Sequence, residues 1–391
     1  ESNSVSGYEV EIKKGAVVNK VSGPNKTWGG GVYGGFADTG GESAVNKNTV
    51  TISGGNVEGA VRGGHSKGSG DVTENKVFVK GGTVNGTVFG GSSVDKSGNR
   101  TVKENTVEMT GGEVHYVRGG YSDGSGAVTG NTVILSGGVV SGNVSGGYAD
   151  KDSSGAVTEN KVFVSDGTVG KTVFGGYSDG SGNAESNTVT INGGSVASGI
   201  RGGQSAGGAV TGNTIDLNGG TVAGKAYAGY SNNGTVTDNT INLNGKNGQT
   251  GEIDITEAWL YGSNATATGQ NNNTLNIRNF KGRAQNIGNF DRIDLDLAGL
   301  TLRAGDPIIV LTEKETTRLG NSTIHLHTAQ KAIAHTNSAL VPRYEVIKNK
   351  TDAGLTAENV KYEKGQITVR EKGALQALYK VEWDGPGIDS V

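Results

Sequence analysis

The chain reads as an all-β protein wound into a parallel β-helix, and three observations predict it. First, an apolar residue two places before a glycine doublet recurs at Val32, Val61, Val88, Val117, Val144, Val173, Ile200 and Ala226, in steps of 29, 27, 29, 27, 29, 27 and 26 residues. Stacked coils produce such regularity and independent domains do not. Second, apolar and polar residues alternate between doublets, as in "NTVTISGGNVEGAV" from Asn48 and "NTVTINGGSVASGI" from Asn187. That period of two belongs to strands. Third, the length variation is confined to the stretch between the doublet and the next asparagine: 13 residues from Gly35 to Asn48, 11 from Gly64 to Asn75 and 14 from Gly91 to Asn105. Variable length marks loops, so one edge of the stack carries them.

Taken in order, residues 1–31 form an N-terminal segment or cap, and residues 32–251 form the repetitive coils. Each coil holds three short strands separated by glycine and asparagine corners. Eight coils at a strand spacing of about 4.8 Å make a rod roughly 38 Å long. Residues 252–311 continue as irregular coils, with "NTLNIRNF" from Asn273 and the alternating "FDRIDLDLAGLTL" from Phe290. Residues 312–391 are poorer in glycine and close with "GQITVREKGALQALYKVEW". A solenoid must cover its open edge, which makes this β-rich, non-repetitive segment the expected C-terminal cap.

Composition narrows the alternatives. Glycine accounts for 70 of 391 residues, far above the usual roughly 7%, while only 4 prolines argue against collagen and proline-rich disorder. There is no cysteine, which removes disulfide staples, thiol nucleophiles and thiolate metal sites. The 35 basic and 38 acidic residues are interspersed, and no basic stripe with interleaved aromatics suggests nucleic acid as a partner. No apolar run reaches the roughly 18 residues of a membrane helix. The opening "ESNSVSGYEVEIKKG" lacks the pattern of a signal peptide, so the expected molecule is a soluble piece of a longer precursor.

Three columns recur at fixed places in the coils. Asn48, Asn75, Asn105, Asn131, Asn160, Asn187, Asn213 and Asn239 share the parity of the apolar residues, so they point inward as a structural ladder in which each amide hydrogen-bonds its neighbours. Tyr33, Arg62, Phe89, Arg118, Ser145, Phe174, Arg201 and Tyr227 stand just before the doublet and point outward, where arginines stack on the rings above and below. After the doublet come Phe36, His65, Ser92, Tyr121, Tyr148, Tyr177, Gln204 and Tyr230. Of these, Phe36, Tyr121, Tyr148, Tyr177 and Tyr230 are the candidate ligand-binding residues, at the mouth of the variable loops, unless they pack beneath those loops.

A glycine-rich repetitive β-helix without cysteine, with a non-repetitive β-rich end, resembles the passenger region of a monomeric (type V) autotransporter of Gram-negative bacteria. The segment "NIGNFDRIDLDLAGLTLRAGDPIIVLT" from Asn286 is similar to the part that ends such passengers. The resemblance implies a right-handed winding, an autochaperone-like cap over 312–391, and display on the outer membrane or secretion. A C-terminal barrel, missing from this sequence, would supply the only membrane contact.

Other chemistry is thinly represented. "SDGSG" at Ser122 and Ser178 has a different order from a protease "GDSG" and reads as a flexible turn. "DKDSSG" from Asp150 starts like a calcium loop but places Lys161 where a bidentate glutamate is needed. His325 and His327 share one strand face without an assignable third ligand. No catalytic residue, metal or cofactor is therefore expected. The sequence points to a non-enzymatic surface adhesin or self-association module on a β-helical rod, binding a host or bacterial surface protein, a glycan or its own kind. The alternatives are a carbohydrate-active β-helix enzyme (polysaccharide lyase or glycosidase), which needs clustered carboxylates in a groove, and a structural surface fibre.

Overall fold

A computed structural model describes residues 4–245 apart from 20, 24, 25, 29 and 97, then 253–264, 270–296, 300, 307–313 and 322–327, and five strands between 345 and 389. The described residues are organised as strands, without a helix. Ten two-residue strands, from Val5–Ser6 through Val45–Asn46 to Gln270–Asn271, form one parallel sheet with one strand per turn. The other strands of a turn, such as Thr49–Ile52, Asn56–Val57 and Val61–Ser66, stack into the remaining faces. The result is a parallel β-solenoid of about ten turns.

The repeat spacing sets the register. Val61 lies beside Val32 and Val88, Arg62 beside Tyr33 and Phe89, and Gly64 beside Gly35 and Gly91. The stack is longer than the eight aligned repeats suggest. Glu9–Ile12 and Val17–Val18 pair with Thr49–Ile52 and Asn56–Val57, adding a turn ahead of the first doublet. Thr274–Arg278, Arg292–Asp296 and Thr323–His327 continue the parallel stack at the other end. Antiparallel pairing occurs in Val21–Gly23 with Lys26–Trp28, and in the pairs formed by Glu345–Asn349 with Ile388–Asp389 and by Gln366–Arg370 with Gln376–Lys380. Most of the expected cap over 312–391 lies outside the described residues.

In-register winding places like beside like. Val50, Val77, Val107, Val133, Val162 and Val189 form one buried column, and Ile52, Val79, Met109, Leu135, Val164 and Ile191 form the next. Valine dominates because a β-branched side chain is stiff and fits a pleated surface, repeating itself at each strand spacing. A smaller apolar column, Val45, Val72, Val102, Val128 and Val157, lines the inner side of the two-residue strands.

Two left-handed corners turn each coil. At one, Gly55, Gly82, Gly112 and Gly138 adopt φ of 81 to 84°. At the other, the residue before each ladder asparagine is left-handed although it is rarely glycine: Lys47, Glu74, Glu104 and Glu159 have φ of 54 to 58°, while Gly130 and Gly212 sit at 65°. Such a conformation costs a residue with a Cβ about 1–2 kcal/mol, so the hydrogen bonds that begin at the next residue must hold it.

Those bonds are the asparagine ladder. Asn48, Asn75, Asn105, Asn131, Asn160, Asn187, Asn213 and Asn239 are all fully buried. The backbone N–H and side-chain Nδ2 of Asn75 both donate to Asn105 Oδ1, at 3.0 and 2.9 Å, and Nδ2 also reaches Val45 O at 2.9 Å. Asn105 repeats the pattern on Asn131, and Asn131 on Asn160. The chain starts where Tyr8 N donates to Asn48 Oδ1 and ends where Asn273 N donates to Asp291 Oδ2. Every link donates in the same direction, so an acceptor-only carboxylate suits the final position.

The doublet glycines make room for this ladder. A Cβ on Gly120 would lie 2.5 Å from Asn131 Nδ2, and one on Gly147 would lie 2.5 Å from Asn160 Nδ2. A Cβ on the first glycine, as at Gly63 or Gly90, would lie 2.5 Å from the carbonyl oxygen of the next turn's glycine. We expect Asn131→Ala to lower stability by about 1–3 kcal/mol, because its partners stay buried and unpaired. Gly120→Ala should also destabilise, and the double variant should cost less than the sum, since removing the amide vacates the space the new methyl needs. Strict additivity in denaturant unfolding would show that the two are not in contact. Gly130→Ala should cost about 1 kcal/mol through its left-handed φ alone, its Cβ meeting only Glu104 Cγ at 3.5 Å.

Candidate ligand-binding stripe beside the loops

The residues flanking each doublet form a single stripe. Both doublet glycines turn their backbone inward, as the alternating burial of Val32–Ala37 shows, so residues i and i+3 reach the same outer side. Tyr33 and Phe36 meet edge to face at 5.5 Å, Phe174 stacks on Tyr177 at 5.0 Å, and Tyr227 meets Tyr230 at 5.2 Å. The two outward columns separate in sequence are one surface in space.

Arginines tie it together. Arg62 lies 5.3 Å from the Tyr33 ring centroid and 4.9 Å from that of Phe89. Arg118 lies 3.8 Å from Tyr148 and 5.1 Å from Tyr121, and Arg201 lies 4.3 Å from Tyr230. Burial lowers the pKa of all three guanidiniums, with partial compensation from the phenols beside them. They start so high that they stay charged, held over the negative ring faces.

The tyrosines are half-buried and their hydroxyls are engaged. Tyr121 donates to Asp150 Oδ2 at 2.9 Å, Tyr148 to Asp179 Oδ2 at 3.3 Å and Tyr177 to Asp179 Oδ1 at 2.7 Å. Burial pushes the Tyr148 phenol up to about 12, with Arg118 opposing and Asp179 adding to the rise. Tyr121 and Tyr177 are raised by burial and then by their aspartate partners. All three are donors across the physiological range. The middle of the stripe is therefore packed against the loops, the arrangement sequence alone leaves open beside a free binding row. Phe36 is the most open of the candidate residues at 39% exposed, with Tyr33 at 37%.

The loops, "SDGSG" among them, are bonded into the stack. Asp123 N donates to Ser93 O at 3.0 Å, Asp179 N to Ala149 O at 2.9 Å and Ser181 N to Ser153 O at 3.1 Å, so loops bond their neighbours as strands do. Charges cluster on them: Lys96 Nζ lies 3.8 Å from Asp123 and 3.7 Å from Asp152. The Asp123 carboxyl is raised by burial, with Lys96 opposing and the adjacent Asp150 and Asp152 reinforcing. Asp150 serves Tyr121 here, and Lys161 stands at the start of a strand. Among the described residues no three histidine or carboxylate side chains converge as a metal site. His325 lies on the strand Thr323–His327, and the side chain of His327 is outside the described residues.

Sequence reasoning missed three members. Asp150 and Asp179 follow the tyrosine column in "YADKD" and "YSDGS", a signal masked because aspartate is common in turns. Tyr261 stacks on Tyr227 at 5.3 Å after the doublet motif has lapsed, and only its pairing opposite Tyr227 reveals it.

No family model, curated protein or solved structure matches this chain, so the site is read from its own geometry. His65 gives that geometry a pH signature. It is buried between Tyr33 and Phe36, shares a 2.8 Å hydrogen bond with Ser92 Oγ, and faces Arg62 and Lys67. Burial foremost, then Arg62, lowers its pKa from 6.5 to about 4. The unfolded chain therefore takes up a proton first as pH falls, and stability should drop between pH 6.5 and 4, with a slope of up to about 1.4 kcal/mol per pH unit. His65→Gln, the residue that Gln204 supplies at the same place in its turn, should remove that component. An unchanged pH profile of the unfolding midpoint would show that His65 is not held neutral.

Proposed function

We propose that the chain is the rod of a non-enzymatic bacterial surface adhesin or self-association module, of the autotransporter-passenger kind its sequence resembles. Its ligand meets the side that carries the loops and the aromatic stripe. The observation that carries this reading is the joining of the two: loop aspartates hold the stripe tyrosines, so variable loops and repeated rings form one continuous outer surface. Repetition along the rod favours many weak contacts that combine by avidity. The glycosidase alternative needs carboxyl groups about 5–9.5 Å apart to admit a sugar bond. Asp150, the carboxylate that acts on Asp123, is instead engaged by the Tyr121 hydroxyl at 2.9 Å.

Shortening the loops Asp38–Lys47, Ser93–Glu104 and Asp150–Glu159 to the "SDGSG" length, while keeping Asp150, tests the proposal. The trimmed protein should unfold at nearly the parent midpoint and lose cell attachment or aggregation. Attachment equal to the parent's would move the binding surface to another face.

A further inference from the structure

We infer that the first turns of the stripe hold an acidic polysaccharide, one bearing carboxylate or sulfate groups. The inference rests on the adhesin reading and names its ligand class. It starts from a contrast along the stripe. In the middle, the tyrosine hydroxyls are matched by Asp150 and Asp179, and Arg118 by Asp150. At the first turn the rings are open and the flanking charge is cationic. Tyr33 and Phe36 are exposed and rest on the buried His65, 5.6 Å from each, so the two rings form one small supported platform.

Two cations flank that platform. Lys67 Nζ sits 5.3 Å from the Phe36 ring centroid. Arg62 donates to Tyr33 OH at 3.3 Å, and its buried Nε has no protein partner. Neither Arg62 nor Lys67 has a carboxylate within ion-pair distance among the described residues. The nearby Asp38 accepts from Thr39 N and Oγ1 at 2.9 and 3.1 Å and stays an anion, which Lys67 helps to hold ionised. Two cations against this one carboxylate leave net positive charge beside the exposed ring faces.

A sugar ring fits this chemistry. Its C–H face is apolar and slightly positive and lies against the negative face of Phe36 or Tyr33, while an anionic substituent reaches Lys67 and the Arg62 guanidinium. A protein partner fits less well, because a stable protein interface buries roughly 800 Å² on each side with a desolvated anchor, whereas this platform offers two partly exposed rings.

The test is binding of the whole chain to immobilised heparin, polygalacturonate and uncharged dextran, with cell attachment of the same proteins followed in parallel. Heparin or polygalacturonate should be held more tightly than dextran, and less tightly as salt rises. Phe36→Ala should weaken that binding by about tenfold, and Lys67→Gln should weaken it and flatten its salt dependence. Both positions are exposed, so unfolding midpoints should stay at the parent value. Equal retention on dextran, or full binding by Phe36→Ala, overturns the inference. If the parent attaches to cells and both variants attach as well as it does, the ligand is of another class, such as a protein, and the adhesin reading survives without this one. If the parent attaches to neither cells nor glycans, both fall.

Discussion

Everything in this solenoid depends on one contact, the ladder asparagine lying on the second glycine of the doublet. The stretch between them holds the variable loop and a two-residue strand, and the amide closes it by bonding the strand behind, its own turn and the asparagine ahead. A side chain on the glycine would displace the amide. An apolar residue in place of the amide would leave buried carbonyls unpaired, at about 1–3 kcal/mol each. The glycine and the asparagine are therefore one unit, which explains why both recur while the intervening residues change in number.

That unit also sets the strain and its compensation. Among the described residues, seven of the nine non-glycine residues with positive φ occupy the position just before a ladder asparagine. Outside the ladder, polar stacking continues in simpler form: Asn242 Nδ2 donates to Asp216 Oδ1, Asn276 Nδ2 to Asn242 Oδ1, and Asn244 Nδ2 to Asn218 Oδ1, at 2.7 to 2.8 Å. A coil that brings identical positions together at one strand spacing needs each position to tolerate a copy of itself. Valine, asparagine, threonine and glycine do this, whereas a column of one charge does not. The arginines accordingly alternate with rings.

The same doublet shapes the outer surface. Because both glycines face inward, the ring before them and the ring after them emerge on one side, and the stripe gains twice the aromatic density that strict alternation would give. Loop aspartates then engage the tyrosines of its middle, while Tyr33 and Phe36 at its first turn stay open. The surface thus has a direction along the rod, although the core beneath it is nearly invariant.

The sequence by itself determined the parallel coils, their in-register pairing, the inward asparagines and the edge that carries the loops. Each follows from a spacing, and in a solenoid sequence spacing maps directly onto neighbours in space. Val61 opposite Val88 needs nothing beyond the count between them. Only the tertiary structure decided that the two outward columns merge, since that depends on how the doublet breaks the alternation. It also decided that Tyr121, Tyr148 and Tyr177 are tied down while Phe36 is open, because loop aspartates reach the tyrosine rings from neighbouring turns and from their own. Such contacts depend on side-chain reach across turns, and a spacing along the chain does not encode reach.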